Sequence, residues 1–176
     1  VNDVGTTYTF FGQIVIVALM QIGALGIMFF AAVLVMLGTG ALSARGEENL
    51  RNVLDTDPVR SMSGLLRRLF VLSFSIEILG AFLLALWFWP NHEVKHAIWL
   101  GLFHSVSAFC NAGFCLFTNN LGGYPEHWPI NLTVTGLVIL GGLGIPVLDD
   151  LLEWCRAALK GTRRPSFRFH TRLVLW

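Results

Sequence analysis

AIWLGLFHSVSAFCNAGFCLFTNNL, residues 97–121, contains no Asp, Glu, Lys or Arg over 25 positions. It reads as two unlike parts: an apolar segment, 97–110, and then Asn111, Ala112, Gly113, Phe114 and Cys115. The first part is too short to span a bilayer, which takes about 20 residues of helix. It has the length of a half-helix that dips into the membrane, so that the Asn-Ala-Gly-Phe run turns back outward. Irregular backbone at membrane depth is tolerated only where protein buries it or it lines a watery cavity, and carbonyl oxygens in such a place replace the hydration shell of a cation. The stretch therefore predicts an ion-selective pore loop.

The surrounding composition agrees with a membrane setting. Of 176 residues, 55% are apolar and 13% charged, against about 25% charged in a soluble domain, and the mean hydropathy is +0.66. A multi-span, all-α membrane protein follows. A net charge of +1 gives no general attraction to nucleic acid. Cys110, Cys115 and Cys155 are odd in number and lie in apolar surroundings, so neither a disulfide framework nor a metal-ligand spacing is expected. With no initiator Met and no signal-peptide pattern at its start, the chain reads as a piece of a longer protein.

On the N-terminal side, residues 4–44 carry no charge, and 10–38 predict a long or tilted spanning helix containing Gly23 and Gly26, small residues that let another backbone approach. Residues 43–68 are polar and arginine-rich and read as a connection, with a surface helix before Pro58. The run 69–89 is a second span ended by Pro90, with Trp87 and Trp89 at interfacial positions. Glu77 alone interrupts it. A carboxyl inside a span either belongs to an ion path or is buried against a neighbouring helix. On the C-terminal side, a turn-rich loop, GGYPEHWP, leads into a third span, 130–148, with Pro129 at its first turn, LGGLGIPVL within it, and Asp149 and Asp150 at its end. Asp149 is a further candidate for the ion path, as a concentrator of cations at the inner mouth, or else part of a solvated helix end. His104 either touches the path or bonds a neighbouring backbone.

Charge placement decides the topology. Eleven of the twelve basic residues fall in 43–68 or 156–176, with Lys95 the exception. Basic loops stay cytoplasmic, so both segments belong on one side, which requires three crossings and a re-entrant 97–119. A shift of 118 residues lays Gly23, Leu25, Gly26 and Ile27 on Gly141, Leu143, Gly144 and Ile145. The first helix is thus the counterpart of the third, and the unit of repetition is helix, pore loop, helix. The expected organisation is a second transmembrane helix of one repeat (1–42), a cytoplasmic connection (43–68), a second repeat (69–155: helix 69–90, half-helix 97–110, filter 111–115, helix 130–148) and a cytoplasmic tail (156–176) leading into a third.

Repeats of this kind, with FFGQ and QIGALGIM in one helix, SAFCNAGF at the loop and GGLGIP in the next helix, resemble the Trk/Ktr/HKT superfamily of potassium transport membrane subunits over nearly the whole chain. The resemblance implies four repeats in one chain around a pseudo-fourfold pore, two chains as a homodimer in membrane lipid, and a cytosolic nucleotide-binding regulatory subunit. It implies potassium uptake across the plasma membrane without covalent chemistry and without a covalently bound cofactor, potassium being the cargo. Asn111, Ala112, Gly113 and Phe114 match the second-repeat filter, whose backbone carbonyls face the ion, with potassium held at Asn111, Ala112 and Gly113. Superfamily members with Ser at a filter Gly lean toward sodium, so a sodium-permeable transporter is one alternative. A tetrameric channel with one loop per chain is a second, disfavoured by the internal repeat. A membrane-embedded enzyme would need clustered ionisable groups in the spans, where Glu77 stands alone.

Overall fold

The computed structural model describes residues 4–41, 58–161, 171–172 and 174. All regular structure among them is helical: α1 (Val4–Thr7), α2 (Phe10–Ala41), α3 (Pro58–Phe88), α4 (Val94–Phe109), α5 (Trp128–Leu143) and α6 (Ile145–Leu159), with 3-10 turns at Trp89–Asn91 and Asn120–Gly123. The surface helix expected before Pro58 and most of the basic tail lie outside the described residues.

Each boundary has a local cause. Thr9 opens α2, its hydroxyl accepting the Gly12 N–H at 3.3 Å in the manner of an N-cap. Helix α3 stops at Phe88 because Pro90 lacks the donor that would continue the ladder. The α3 helix starts well before the apolar run at 69 and takes in Arg60, Arg67 and Arg68; hydropathy marks the part of a helix that meets lipid, not where its hydrogen bonds begin. Within α3 and its extension, Phe70–Asn91 is long and apolar enough to cross a membrane, while Phe10–Ala24 and Trp128–Leu143 are shorter apolar stretches among the described residues.

The single helix expected over 130–148 is two helices. Gly144 separates them at φ 80°, ψ 144°, a conformation essentially restricted to glycine. Pro146 then sits in the first turn of α6, a position where its missing N–H costs nothing.

Helix α4 is the element the others are arranged around. Its 16 residues make a rod of about 24 Å, short of the roughly 30 Å hydrocarbon core. One apolar cluster joins it to α3 and α5 through Leu84, Phe88, Leu100, Phe109, Ile130 and Leu137. A second, formed by Val4, Met20, Phe103 and Val106, joins it to α1 and α2. The approach to α3 is backbone to backbone: a Cβ on Gly101 would lie 2.5 Å from the Ala81 carbonyl oxygen and 2.7 Å from the Ala85 nitrogen. Buried Gln13 ties α2 to the same helix, its Oε1 accepting from Trp99 Nε1 at 2.8 Å.

The chain reaches α4 and leaves it at one end of the bundle. His92, just before α4, places Nε2 3.2 Å from the hydroxyl of Tyr124, just before α5. Phe88 at the end of α3 touches the Tyr124 ring, centroids 5.5 Å apart. Burial, and after it the charge of His96, hold His92 below the ordinary imidazole range, and burial raises the Tyr124 hydroxyl. Both shifts favour the neutral forms of the pair. Residues 92–124 thus form a hairpin whose descending limb is α4 and whose returning limb is irregular.

Candidate functional site

The turn at the tip of that hairpin follows from one residue. At the end of α4, Ala112 N–H bonds the Ser107 carbonyl at 2.9 Å and Asn111 N–H bonds the Ala108 carbonyl at 3.1 Å. With Asn111 at φ 53° this is a Schellman ending, for which Asn is the usual substitute for Gly because it tolerates the left-handed region. The chain is turned off the helix axis there. Two residues later Gly113 takes φ 73°, and among the described residues no atom lies within 4 Å of where its Cβ would be. The demand on Gly113 is conformational.

Asn111, Ala112, Gly113 and Phe114 therefore lie together in irregular backbone at the foot of α4. Among the described residues no hydrogen bond is made to the carbonyls of Asn111, Ala112 or Gly113. Phe114 differs: its carbonyl accepts the Ser107 hydroxyl at 2.6 Å, which fastens the returning limb to the descending one. Cavities flank the loop on two sides. One, of about 410 Å³, is lined by His104, Ser107, Asn111, Gly113, Asn120 and Val134. The other, of about 380 Å³, is lined by Met20, Gly23, Ala24, Cys110 and Ala112. Phe114 borders both. Because α4 points its C-terminal end at this loop, the partial negative charge there favours a cation.

Around this core the structure sorts the remaining candidates. Glu77 is 3% exposed; its carboxyl is hydrogen-bonded to the Gln21 side chain and has Cys110 Sγ at 3.9 Å. Its backbone carbonyl accepts the Ser105 hydroxyl at 2.7 Å. These are the surroundings of a buried brace joining α2, α3 and the foot of α4. Asp149 lies on α6 and its side chain is outside the described part of the structure. Its neighbour Asp150 is buried and accepts the Thr171 hydroxyl at 2.5 Å. His104 bonds backbone on both ring nitrogens.

Among the described residues, Gly23 and Gly26, read as close-approach positions, have nothing within 4 Å of a Cβ, and Gly23 borders a cavity. Gly141, its repeat counterpart, makes the approach: a Cβ there would run into the Phe109 carbonyl oxygen and lie 3.1 Å from Asn111 Nδ2. Sequence reasoning passed over Ser107 and named Gly141 only as a repeat position; the partners of both are visible only once the return path of the chain is known.

The Ser107 contact carries an expectation. With Cys110 and Cys155 replaced by serine, Ser107→Ala increases the labelling rate of Cys115 by a thiol reagent about fivefold, the equivalent of one net hydrogen bond of about 1 kcal/mol. Ser107→Thr, which keeps the hydroxyl, labels at the parental rate. Equal rates for all three would mean the bond does not hold the limb.

Comparison with known proteins was made against this geometry. The family model described as TrkH, cation transport protein, matches residues 1–175. The Ktr system potassium uptake protein B of Bacillus subtilis (strain 168) is 37% identical over 175 residues, covering 99% of this chain and 38% of that protein. The Ktr system potassium uptake protein B of Vibrio alginolyticus is 31% identical over 179 residues, covering 99% of this chain and 37% of its own length. The potassium/sodium uptake protein NtpJ of Enterococcus hirae is 32% identical over 148 residues, 82% of this chain and 32% of that protein. The chain thus spans less than two fifths of the length of the curated relatives it matches.

Proposed function

Because the chain belongs to the TrkH family of cation transport proteins, we propose that it carries one complete helix, pore loop, helix repeat of a potassium-uptake transporter and part of the repeat before it. It is an all-α protein of the plasma membrane. Asn111, Ala112 and Gly113 contribute backbone carbonyls to the ion path, and Phe114, its carbonyl held by Ser107, closes the path on the outer side. The observation that carries this reading is three successive carbonyls that accept no hydrogen bond among the described residues, at the foot of a half-helix and between two cavities. Asn111 and Gly113 are exposed and Ala112 half-buried, so these carbonyls are open to a partner, and a partly dehydrated cation is the one that suits this place.

The ion sheds water at the outer mouth, is held by carbonyl dipoles at weak adjacent sites, and moves inward down its electrochemical gradient. No bond of a substrate changes. One such loop cannot enclose an axial pore, so four repeats of the complete protein surround it, with Asp149 a secondary candidate at the inner mouth and Glu77 bracing the loop's foot. A homodimer of the complete protein and a cytosolic nucleotide-binding regulator complete the proposal.

The two relatives named for potassium uptake favour potassium, and NtpJ, named for potassium and sodium, motivates the second reading of a sodium-permeable path. Expressed in a cell without its own potassium uptake, the complete protein carrying this chain is expected to restore rubidium uptake, with potassium competing far better than sodium. Equal competition by sodium supports the second reading. Absence of rubidium uptake by a protein present in the membrane overturns both.

A further inference from the structure

The upstream end of the 111–114 loop is fixed by the helix that it terminates. Its downstream end is fixed by Ser107 at Phe114 and, just beyond, by His104. His104 is 4% exposed, and its Nδ1 lies 2.7 Å from the Leu100 carbonyl oxygen one turn earlier. A carbonyl only accepts, so Nδ1 carries the proton and Nε2 presents a lone pair. That lone pair meets the returning limb: Leu116 N–H donates to it at 3.3 Å, and Cys115 Sγ lies 3.1 Å away. The imidazole also stacks on Phe117, centroids 5.0 Å apart and planes 18° from parallel. One ring of the descending limb thus meets each of residues 115–117, and it supplies the acceptor for the Leu116 N–H.

We propose that His104 is a positioning residue for ion selection: as the Nδ1-protonated tautomer, it pins the limb leaving the loop, and so sets how far the carbonyls of 111–113 can close around an ion. The proposal rests on the reading of those carbonyls as the ion site. A loop anchored at both ends keeps a spacing suited to a larger cation; released at Leu116, it can draw in around a smaller one. Selectivity, more than stability, is the quantity His104 governs. An imidazole present only to fill volume would need neither the fixed tautomer nor the acceptor aimed at a backbone N–H.

The test uses the complete protein in a potassium-uptake-deficient cell, measuring rubidium uptake against rising sodium, normalised to the amount of protein in the membrane. His104→Leu keeps apolar volume and offers Leu116 N–H nothing. His104→Asn reaches only its own helix. His104→Gln puts an amide oxygen where Nε2 stands. Sodium is expected to compete about tenfold more effectively in the Leu and Asn variants, the equivalent of one unsatisfied buried donor, and as in the parent in the Gln variant. Where His104→Leu fails to reach the membrane, the Asn and Gln pair decides alone. Unchanged competition in His104→Asn, or equal loss in Asn and Gln, overturns the proposal. Gly113→Ser is run beside them: if it leaves both uptake and discrimination untouched, the filter reading itself is wrong, a separate failure from that of His104.

Discussion

Replacing Gly113 by valine is expected to cut rubidium uptake on the order of a hundredfold while leaving the amount of protein in the membrane unchanged. Among the described residues nothing within 4 Å obstructs a side chain at Gly113, but its φ is 73°. A left-handed conformation costs an ordinary L-residue about 1–2 kcal/mol and a β-branched one more. The loop escapes that cost by rotating, which turns the carbonyls of Ala112 and Gly113 away from their present directions. The ranking among variants is the sharper test. Asparagine tolerates the left-handed region, as Asn111 does two residues earlier at φ 53°, so uptake should fall in the order Gly, Asn, Ala, Val. Valine transporting as well as asparagine would show that backbone conformation at 113 does not matter.

Gly141→Leu is expected to fail for the opposite reason, with little or no protein reaching the membrane. Gly141 lies inside a regular helix, so conformation is not at issue. Its missing side chain makes room for the Phe109 carbonyl, where α4 ends. Backbone cannot step aside as a flexible side chain does, and overpacking costs about 1–3 kcal/mol even where neighbours can adjust. Gly142→Ala is the matched control, since that Cβ would have Asn111 Nδ2 at 4.0 Å as its nearest atom. Normal abundance of Gly141→Leu, measured against Gly142→Ala, would remove the contact between α5 and the foot of α4 from the account.

The two glycines also mark how much of the molecule was legible in its sequence. Long apolar runs gave the helices, and Asn111 and Gly113 were legible as a turn because their residue types are those that tolerate positive φ. The break at Gly144 was not, although Gly and Pro stand there in plain view: hydropathy averages over a window and carries no information on a single φ. The crowding at Gly141 was not legible either, because it comes from the Phe109 carbonyl at the end of another helix and not from the sequence around Gly141. The pairings of His104 with Leu116 and Ser107 with Phe114 escaped for a related reason. They join limbs whose alignment is set by the length of the turn between them, and no periodicity in either limb encodes it. The start of α3 at Pro58 was missed because a helix that emerges from lipid keeps its ladder while its composition turns polar.

The interruption at Gly144 lies three residues beyond the Gly141 contact. Pro146 gives no donor, and the bonds at the junction, Gly144 N–H to Gly141 and Val147 and Leu148 N–H to Gly144, are 3.1 to 3.3 Å long. Two helices joined at a glycine have no continuous ladder of hydrogen bonds through 128–159, so the direction of α6 is set by its own contacts, among them Arg68 of α3 at 3.4 Å from Glu153, and not by the seat on which the foot of α4 rests.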